Sequence, residues 1–272
     1  MKVIAFVLAF KEKPIYPLVS LMRQTIKPSK IVIVAAYPSA CVDSLKGFKV
    51  ECLVIPPDLS LTVGERVGKA LTIAFRLYLS EEYDYMLKLD SDVYFDETFI
   101  EENIKAGYDL MGRGAAMIIK VKSFIKVFNH KWPISPLDDV IVTEVFKAYG
   151  YKVLPWKWIK PAKLIREPSY DVSRTLRVGY ELYRIGFPIV SELLLLYDRI
   201  LKRRELAFIG HLVGYLVALL RREKKYPFSN VIYDNHRNLL INGGKEKILS
   251  YWIRLIKKVK VKVSKITKTS EV

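Results

Sequence analysis

Two aspartates separated by one residue follow an apolar segment in the first half of the chain. Tyr85–Leu89 has the composition of a buried strand, and Asp90, Ser91 and Asp92 come directly after it. In an extended chain alternate residues point to the same side, so the two carboxylates would face one way and Ser91 the other. Paired hard oxygen ligands suit a divalent cation that keeps positions open for phosphate oxygens. The spacing predicts a metal site at Asp90 and Asp92, although Asp-rich turns that only cap a helix look similar.

A second acidic pair, Asp138-Asp139, stands just before a segment whose apolar residues have helical spacing. Adjacent carboxylates repel each other, which raises the pKa of one of them and suits it to accept a proton. The same pair could instead supply a helix N-cap and a first-turn acid. The residues alone favour capping, and both roles stay open at this point.

Strands and helices alternate along roughly the first 155 residues. Continuous apolar runs indicate buried strands, at Val3–Phe10, Ile31–Ala35, Val50–Ile55, Tyr85–Leu89 and Tyr151–Leu154, with Met111–Ala116 as an edge segment. Helical spacing indicates helices from Pro14 to about Thr25, over Leu61–Tyr78 and around Val140–Phe146, with Val63, Val67, Leu71 and Phe75 on one face of the second. This order predicts an α/β fold whose mostly parallel sheet has helices on both faces. Ligands bind such sheets beyond the carboxyl ends of the strands, where Asp90 would lie.

The charge of the chain is concentrated in its second part. The net charge is +17, yet residues 1–150 carry 19 Lys and Arg against 18 Asp and Glu, while residues 151–272 carry 26 against 10. Such an asymmetry indicates a surface for phosphates, either of nucleic acid or of anionic lipid head groups. Because 51% of the residues are hydrophobic, the chain can form a substantial core, and a folded protein is the default expectation rather than a disordered one.

The basic part is also apolar and helical in pattern. We therefore expect two regions, an α/β domain over residues 1–163 and a membrane-associating helical region over residues 164–272. Leu206–Leu220 would form about 22 Å of helix, short of a bilayer core of about 30 Å, so interfacial helices or an oligomer interface fit better than a span. Gly210 and Gly214 have the Gly-X-X-X-Gly spacing that permits close helix packing. The tail Gly244–Lys268 has the pattern of a basic amphipathic helix, suited to an anionic membrane surface.

The only two cysteines are Cys41 and Cys52. We expect them to be buried free thiols in a reducing compartment, with pairing as the alternative. The N-terminus shows no signal-peptide pattern, because Lys11 and Lys13 stand where small residues should follow the apolar run. These observations predict a cytoplasmic protein, at the cytoplasmic face of the membrane.

Several motifs in the first 155 residues resemble those of the family 2 glycosyltransferases. Leu8–Glu12 stands where that family has a Pro-X-Tyr-Asn-Glu turn, and Ser20–Thr25 resembles its Ser-Leu-X-X-Gln-Thr helix. Gly68-Lys69-Ala70 resembles the Gly-Lys-Ala segment, and Asp90-Ser91-Asp92 matches the Asp-X-Asp metal motif. Asp138-Asp139 followed by Gly150-Tyr151-Lys152-Val153 is similar to the Glu-Asp and Gly-Tyr-Lys-Val pattern. Five motifs in the family's order make the resemblance specific.

The resemblance implies a GT-A (Rossmann-like) fold and metal-dependent, inverting transfer from a nucleotide-diphosphate sugar. The acceptor would be a hydroxyl, of a saccharide or a lipid-linked sugar, or a lipid phosphate. It implies Mn²⁺ or Mg²⁺ at Asp90 and Asp92 and a general base at Asp139. It also implies that a UDP- or GDP-linked donor contacts Phe10, Lys11, Glu12, Lys69 and Ser91.

Some features depart from the family pattern and keep other functions open. Ala35 and Ala36 replace an acidic pair that often reads the nucleotide base, so the sequence does not specify the base. A nucleic-acid-binding protein would explain the positive charge, but the basic residues alternate with aliphatic runs rather than exposed aromatics. A sugar nucleotidyltransferase should carry a glycine-rich loop after the first strand, and Ala9–Pro14 has none. A non-catalytic scaffold is disfavoured because Asp90, Asp92 and Asp139 are all present.

Overall fold

The computed structural model describes residues 1–42, 50–155, 157–166, 172–197 and 209–242 of the 272-residue chain. Within these ranges nine strands are found: β1 Val3–Ala9, β2 Lys30–Ala35, β3 Val50–Val54, β4 Tyr85–Asp90, β5 Val93–Phe95, β6 Leu110–Arg113, β7 Ala116–Lys120, β8 Val153–Pro155 and β9 Ala162–Leu164. Seven of them form one sheet in the order β3-β2-β1-β4-β7-β6-β8, and β5 pairs with β9 separately.

The large sheet is mixed but mostly parallel, which confirms the predicted fold class. Strands β1 to β4 run parallel to one another, and β8 runs parallel to β6. Only β7 is antiparallel to its neighbours, β4 and β6. The sequence pattern did not reveal this arrangement, because Met111–Ala116 has the composition of one edge segment. The segment instead contains the end of β6, a tight turn at Gly114-Ala115 and the start of β7, and neither strand is at an edge of the sheet.

The described helices are α1 Ile15–Met22, α2 Val63–Tyr78, α3 Phe99–Lys105, α4 Val121–Phe128, α5 Asp138–Ala148, α6 Val172–Arg184, α7 Ile189–Tyr197, α8 Ile209–Leu220 and α9 Ser229–Asn242. Apolar residues of α1 and α3 pack on one face of the sheet, and those of α2, α4 and α5 on the other. Apolar residues of α6, α8 and α9 belong to the same core as those of α2, α4 and α5, so these three helices pack on the α5 side of the sheet. The domain boundary expected near residue 163 stays a prediction.

Helix α2 shows how the sequence pattern was partly wrong. Thr62 and Glu65 form a capping box at its start, and Leu71 and Phe75 are buried as expected. Val63, however, is 67% exposed. The inward face of the first two turns is made by Gly64 and Gly68, where an added Cβ would lie 2.5 Å from the Ser135 carbonyl and 2.3 Å from that of Pro133. Glycine therefore replaces the expected valine because the backbones approach too closely for a side chain.

Helices α6 and α8 pack against each other through glycines, as the Gly-X-X-X-Gly spacing predicted. An added Cβ at Gly214 would lie 1.9 Å from the Leu176 carbonyl, and one at Gly210 would lie 2.4 Å from the Thr175 hydroxyl. Gly179 on α6 meets the backbone of α8 in the same way. No helix within the described ranges is long and apolar enough to cross a membrane. The predicted amphipathic segment Gly244–Lys268 lies outside the described residues.

The cysteine prediction was wrong, because Cys41 and Cys52 form a disulfide with their Cα atoms 5.7 Å apart. A short 3-10 turn at Pro38–Ala40 carries the chain from β2 toward β3, on which Cys52 lies. Parallel pairing of β2 and β3 brings the two residues together, and sequence spacing alone could not show it. The expected cytoplasmic location is therefore no longer supported by free thiols, and it stays a prediction.

Candidate active site

The carboxyl ends of parallel strands and one tight turn meet at a single edge of the sheet. Asp90 is the last residue of β4 and lies beside Leu8 of β1, while Ala35 ends β2 beside Ala9. The turn between β6 and β7 reaches the same edge, because the backbone N–H of Asp90 donates to the carbonyl of Ala115 at 2.8 Å. This is the edge at which the sequence predicted a ligand site.

Lys88, which no sequence motif singled out, contacts both the end of β4 and the turn between β6 and β7 at this edge. It points to the same side of β4 as Asp90 and is only 4% exposed. Its Nζ donates to Asp90 Oδ1 at 2.7 Å and also contacts the carbonyl oxygen of Gly114. Burial lowers the pKa of Lys88, but attraction to Asp90, Asp138 and Asp139 outweighs burial and raises it. A single lysine inside an otherwise apolar strand was the signal that could have revealed it.

Asp139 is held at this edge by the turn that precedes β7. Its Oδ2 accepts a hydrogen bond from the Gly114 N–H at 2.9 Å, and its Oδ1 accepts one from the N–H of Val140 at 2.9 Å. Gly114 has no room for a side chain, since a Cβ there would lie 2.7 Å from Asp139 Oδ2. Burial raises the pKa of Asp139, while Lys88 and the two backbone N–H groups oppose that effect.

Asp138 faces the interior rather than capping the helix. Its Oδ2 accepts a 2.6 Å hydrogen bond from Nε1 of Trp132, and both side chains are buried. Burial, and then repulsion from Asp139, raise the pKa of Asp138 to about 7. The N-cap of α5 is Leu137, with no side-chain cap, so the N-cap part of the alternative interpretation was wrong. Its other part, an acid in the first turn, is confirmed, since both carboxylates lie there, where the helix dipole favours negative charge.

Ser91 and Asp92 lie in the turn between β4 and β5. Because β4 ends at Asp90, the strand alternation that placed Asp90 and Asp92 on one side does not extend to Asp92. The carbonyl of Asp92 accepts from the N–H of Ile165, which fixes this turn beside β9. Within the part of the chain that the structure describes, no three Asp, Glu, His or Cys side chains group together as a metal site.

The residues expected to contact a donor lie in two places. Phe10 and Tyr37 form a T-shaped aromatic pair with ring centroids 5.2 Å apart, beyond β1 and β2. The Lys11 ammonium lies 5.2 Å from the Tyr37 ring, and the Arg66 guanidinium lies 5.8 Å from the Phe10 ring. The sequence motifs did not include Tyr37 and Arg66, although Tyr37 directly follows the Ala35-Ala36 pair.

Lys69 and Glu12 have no described contact with Asp90, Asp92, Asp138 or Asp139. Lys69 forms an ion pair with Asp58 at 3.3 Å, and both side chains are about half exposed. Glu12 is exposed in the turn after β1. Gly68, which precedes Lys69, is buried against Pro133, so the Gly-Lys-Ala segment packs α2 closely on the chain that leads to Asp138.

The chain matches no family model and no curated protein. Solved structures with a similar fold include a mannosyltransferase, PcManGT from Pyrobaculum calidifontis, in complex with GDP-Man and Mn²⁺. It is 11% identical, with a TM-score of 0.49 over 88% of this chain and 80% of that chain. TarS of S. aureus is 16% identical, with a TM-score of 0.39 over 67% of this chain and 40% of that chain. These similarities are too weak to assign an activity, which must be inferred from the site itself.

Proposed function

We propose that this protein is a metal-dependent, inverting glycosyltransferase of the family 2 type. It would transfer a sugar from a UDP- or GDP-linked donor to a hydroxyl or lipid-phosphate acceptor at a membrane surface. The main support for this proposal is that Asp90 and the first turn of α5 lie at the same carboxyl edge of the sheet. The ammonium of Lys88 contacts Asp90, and the charges of Asp138 and Asp139 also act on it.

The charges at this edge fit a divalent cation. The two carboxylates of Asp90 and Asp92 outnumber the single ammonium of Lys88, and both offer hard oxygen donors. Asp90 and Asp92 would hold the ion, with the remaining positions open to donor phosphates. When bound, it would supply Lewis-acid stabilisation to the diphosphate leaving group.

Asp139 is suited to the role of general base. The N–H groups of Gly114 and Val140 orient its carboxylate, and burial raises its pKa toward the range useful for proton transfer. The acceptor oxygen would form a bond to the anomeric carbon while its proton passes to Asp139. The bond from the anomeric carbon to the diphosphate would break, and the leaving group would take the electron pair. One direct displacement inverts the anomeric carbon.

The aromatic pair beyond β1 and β2 supports a nucleotide donor. Phe10 and Tyr37 offer ring surface to a base, and Lys11 and Arg66 bring positive charge beside those rings. Ser91 lies beside both metal-site aspartates in the turn that would face the diphosphate. Glu12 and Lys69 complete the proposed donor contacts, and Lys69 would have to exchange its exposed partner Asp58 for phosphate.

Calorimetric titration with UDP and with GDP, each with and without Mn²⁺, tests this function. We expect one nucleotide to bind only with the metal, and its binding to vanish in Asp92→Ala. Asp139→Asn should retain nucleotide binding and lose turnover by at least ~100-fold, as expected when a general base is removed. Near-normal transfer by Asp139→Asn would exclude it as the base. Binding of neither nucleotide to the folded protein would contradict the whole proposal.

The outer face of α8 supports the membrane contact. Helix α8 has no charged side chain other than His211, and Ile209, Val213, Leu216 and Leu220 form an exposed apolar stripe along it with i, i+4, i+7, i+11 spacing. Leu220 is 82% exposed. Four of the five residues that follow Leu220 are basic and exposed: Arg221, Arg222, Lys224 and Lys225. An apolar stripe next to clustered positive charge fits the interface of an anionic bilayer.

Vesicle binding tests the α8 stripe. The protein should cosediment with vesicles that contain phosphatidylserine and much less with phosphatidylcholine alone. The double variant Leu216→Glu/Leu220→Glu should lose at least ~10-fold in affinity, since it places charge in the buried layer. Leu77→Glu, on the exposed side of α2, is the matched control and should bind normally. If the double variant instead separates a dimer and binds vesicles normally, a second copy of the chain covers the stripe and the lipid proposal is wrong.

Arg174 and Arg177, both exposed on α6, would meet the phosphate of a lipid acceptor. Replacing both by alanine should slow transfer to a lipid-phosphate acceptor more than transfer to a soluble saccharide. Unchanged transfer to the lipid phosphate would exclude this role.

A further inference from the structure

We infer that Lys88 is a positioning residue, which links the metal-binding carboxylate of Asp90 to the general base Asp139 through the peptide groups of Gly114. This inference rests on the proposed function and adds a residue to it that neither sequence motifs nor the donor contacts include. It concerns the relative placement of the two halves of the site, which come from different parts of the chain.

The link is a continuous path of hydrogen bonds and polar contacts. Lys88 Nζ donates to Asp90 Oδ1 at 2.7 Å and contacts the carbonyl oxygen of Gly114. The N–H of Gly114 donates in turn to Asp139 Oδ2 at 2.9 Å. Asp90 is also joined to the same turn through its own N–H and the Ala115 carbonyl. The turn therefore cannot move away from β4 without breaking contacts at both aspartates.

Burial and its two polar contacts restrict the Lys88 side chain to one position. Its side chain is buried on the side of β4 that faces α2, α4 and α5, between Met86 and Asp90 on the same face. A buried ammonium is stable only when it is paired and hydrogen-bonded, and Asp90 with Gly114 meets that requirement. Since Asp90 Oδ1 is occupied by Lys88, the other oxygen of Asp90 is left for a cation. Lys88 thus determines how Asp90 can act as a ligand as well as where Gly114 holds Asp139.

Replacing Lys88 by methionine should have two opposite effects. Turnover should fall by at least ~100-fold with little change in KM for the donor, because a misplaced base slows the chemical step. Affinity for Mn²⁺ alone should rise by about 10-fold, because the variant frees Asp90 Oδ1 and removes a like charge beside the cation. Loss of the folded site would weaken Mn²⁺ binding as well as turnover, so tighter binding together with slower turnover separates positioning from a merely structural role.

Three companion measurements make the test decisive. Lys105→Met, which removes an exposed lysine of α3, should leave both turnover and Mn²⁺ affinity unchanged. Lys88→Arg keeps the charge and should recover part of the turnover while binding Mn²⁺ like the parent. If Lys88→Met does not fold, the comparison is made in an Asp138→Asn background, which removes one of the carboxylates that Lys88 balances.

Each outcome bears on a specific proposal. Turnover of Lys88→Met within about threefold of the parent, or weaker Mn²⁺ binding, would overturn the role of Lys88 and leave the glycosyltransferase proposal intact. A parent protein that shows neither sugar transfer nor Mn²⁺ binding would contradict the proposed function, and the role of Lys88 would fall with it.

Discussion

The Nε2 atom of His236 lies 3.0 Å from Oε2 of Glu144, and this contact joins α9 to the helix that carries Asp138 and Asp139 in its first turn. The other ring nitrogen of His236 lies 3.2 Å from the hydroxyl of Ser191 on α7. Lys147 donates to the remaining oxygen of Glu144 at 2.6 Å. These polar contacts connect α7 and α9 to α5, the helix on which the candidate base Asp139 lies.

Glu144→Gln should lower the free energy of unfolding by about 2 kcal/mol at neutral pH, because hydrogen bonds to a charged group contribute roughly that much. Burial raises the pKa of Glu144, but the hydrogen bond from His236 and the charge of Lys147 outweigh it and hold the pKa below its usual value of 4.5. The stabilisation is therefore complete above pH 4.5 and is lost as the pH falls through the lower folded value. Denaturant unfolding of both proteins should show their difference shrinking in acid; a difference that is independent of pH would contradict this.

Asp138 should give the opposite dependence on pH. Its folded pKa, raised from 3.8 to about 7, makes the parent most stable below pH 3.8 with respect to this group and less stable as the pH rises toward 7. The loss can reach about 1.4 kcal/mol per pH unit over that range. Asp138→Asn still accepts the Trp132 hydrogen bond and does not ionise, so its unfolding free energy should lack this decline. Parallel stability profiles for the two proteins would show that Asp138 ionises normally in the fold.

Gly114→Ala should slow the proposed sugar transfer more than it affects folding. The new Cβ would lie 2.7 Å from Asp139 Oδ2, so the carboxylate must rotate away from the Gly114 N–H. Misplacing a reacting group by about 1 Å can cost ~100-fold in rate, and we expect a loss of that order in kcat. Steady-state kinetics together with thermal unfolding measure the effect. Normal kcat in a folded variant would show that the Gly114 contact does not position the base.

Gly214→Ala should destabilise the protein by about 2 kcal/mol or more, since overpacking forces backbone shifts of that cost. The added Cβ would meet the Leu176 carbonyl at 1.9 Å, so α8 must move away from α6. Val213→Ala on the exposed face of the same helix is the control and should change stability by less than about 0.5 kcal/mol. Equal effects of the two substitutions in chemical unfolding would contradict the close packing of the two helices.

The sequence pattern predicted strands correctly where a continuous run of apolar residues was long enough to be recognised. Strands β1, β2 and β4 were predicted to within two residues at each end, because a continuous apolar run between polar turns is typical of a buried strand. The hairpin of β6 and β7 was not recognised, since its two short strands and two-residue turn resemble a single segment. The face of α2 was wrong at Val63 because periodicity cannot show that glycines provide a close backbone approach.

The sequence by itself determined the alternation of elements, the position of Asp90 at a strand end and the small residues that let α8 pack on α6. These follow from local periodicity and from residue size. Only the tertiary structure decided that Lys88 joins Asp90 to the turn that holds Asp139, that Asp138 faces Trp132, and that Cys41 bonds to Cys52. Each of these contacts joins residues from different elements or loops. Such pairs depend on strand order and on how α5 docks beside the sheet, which no local pattern encodes.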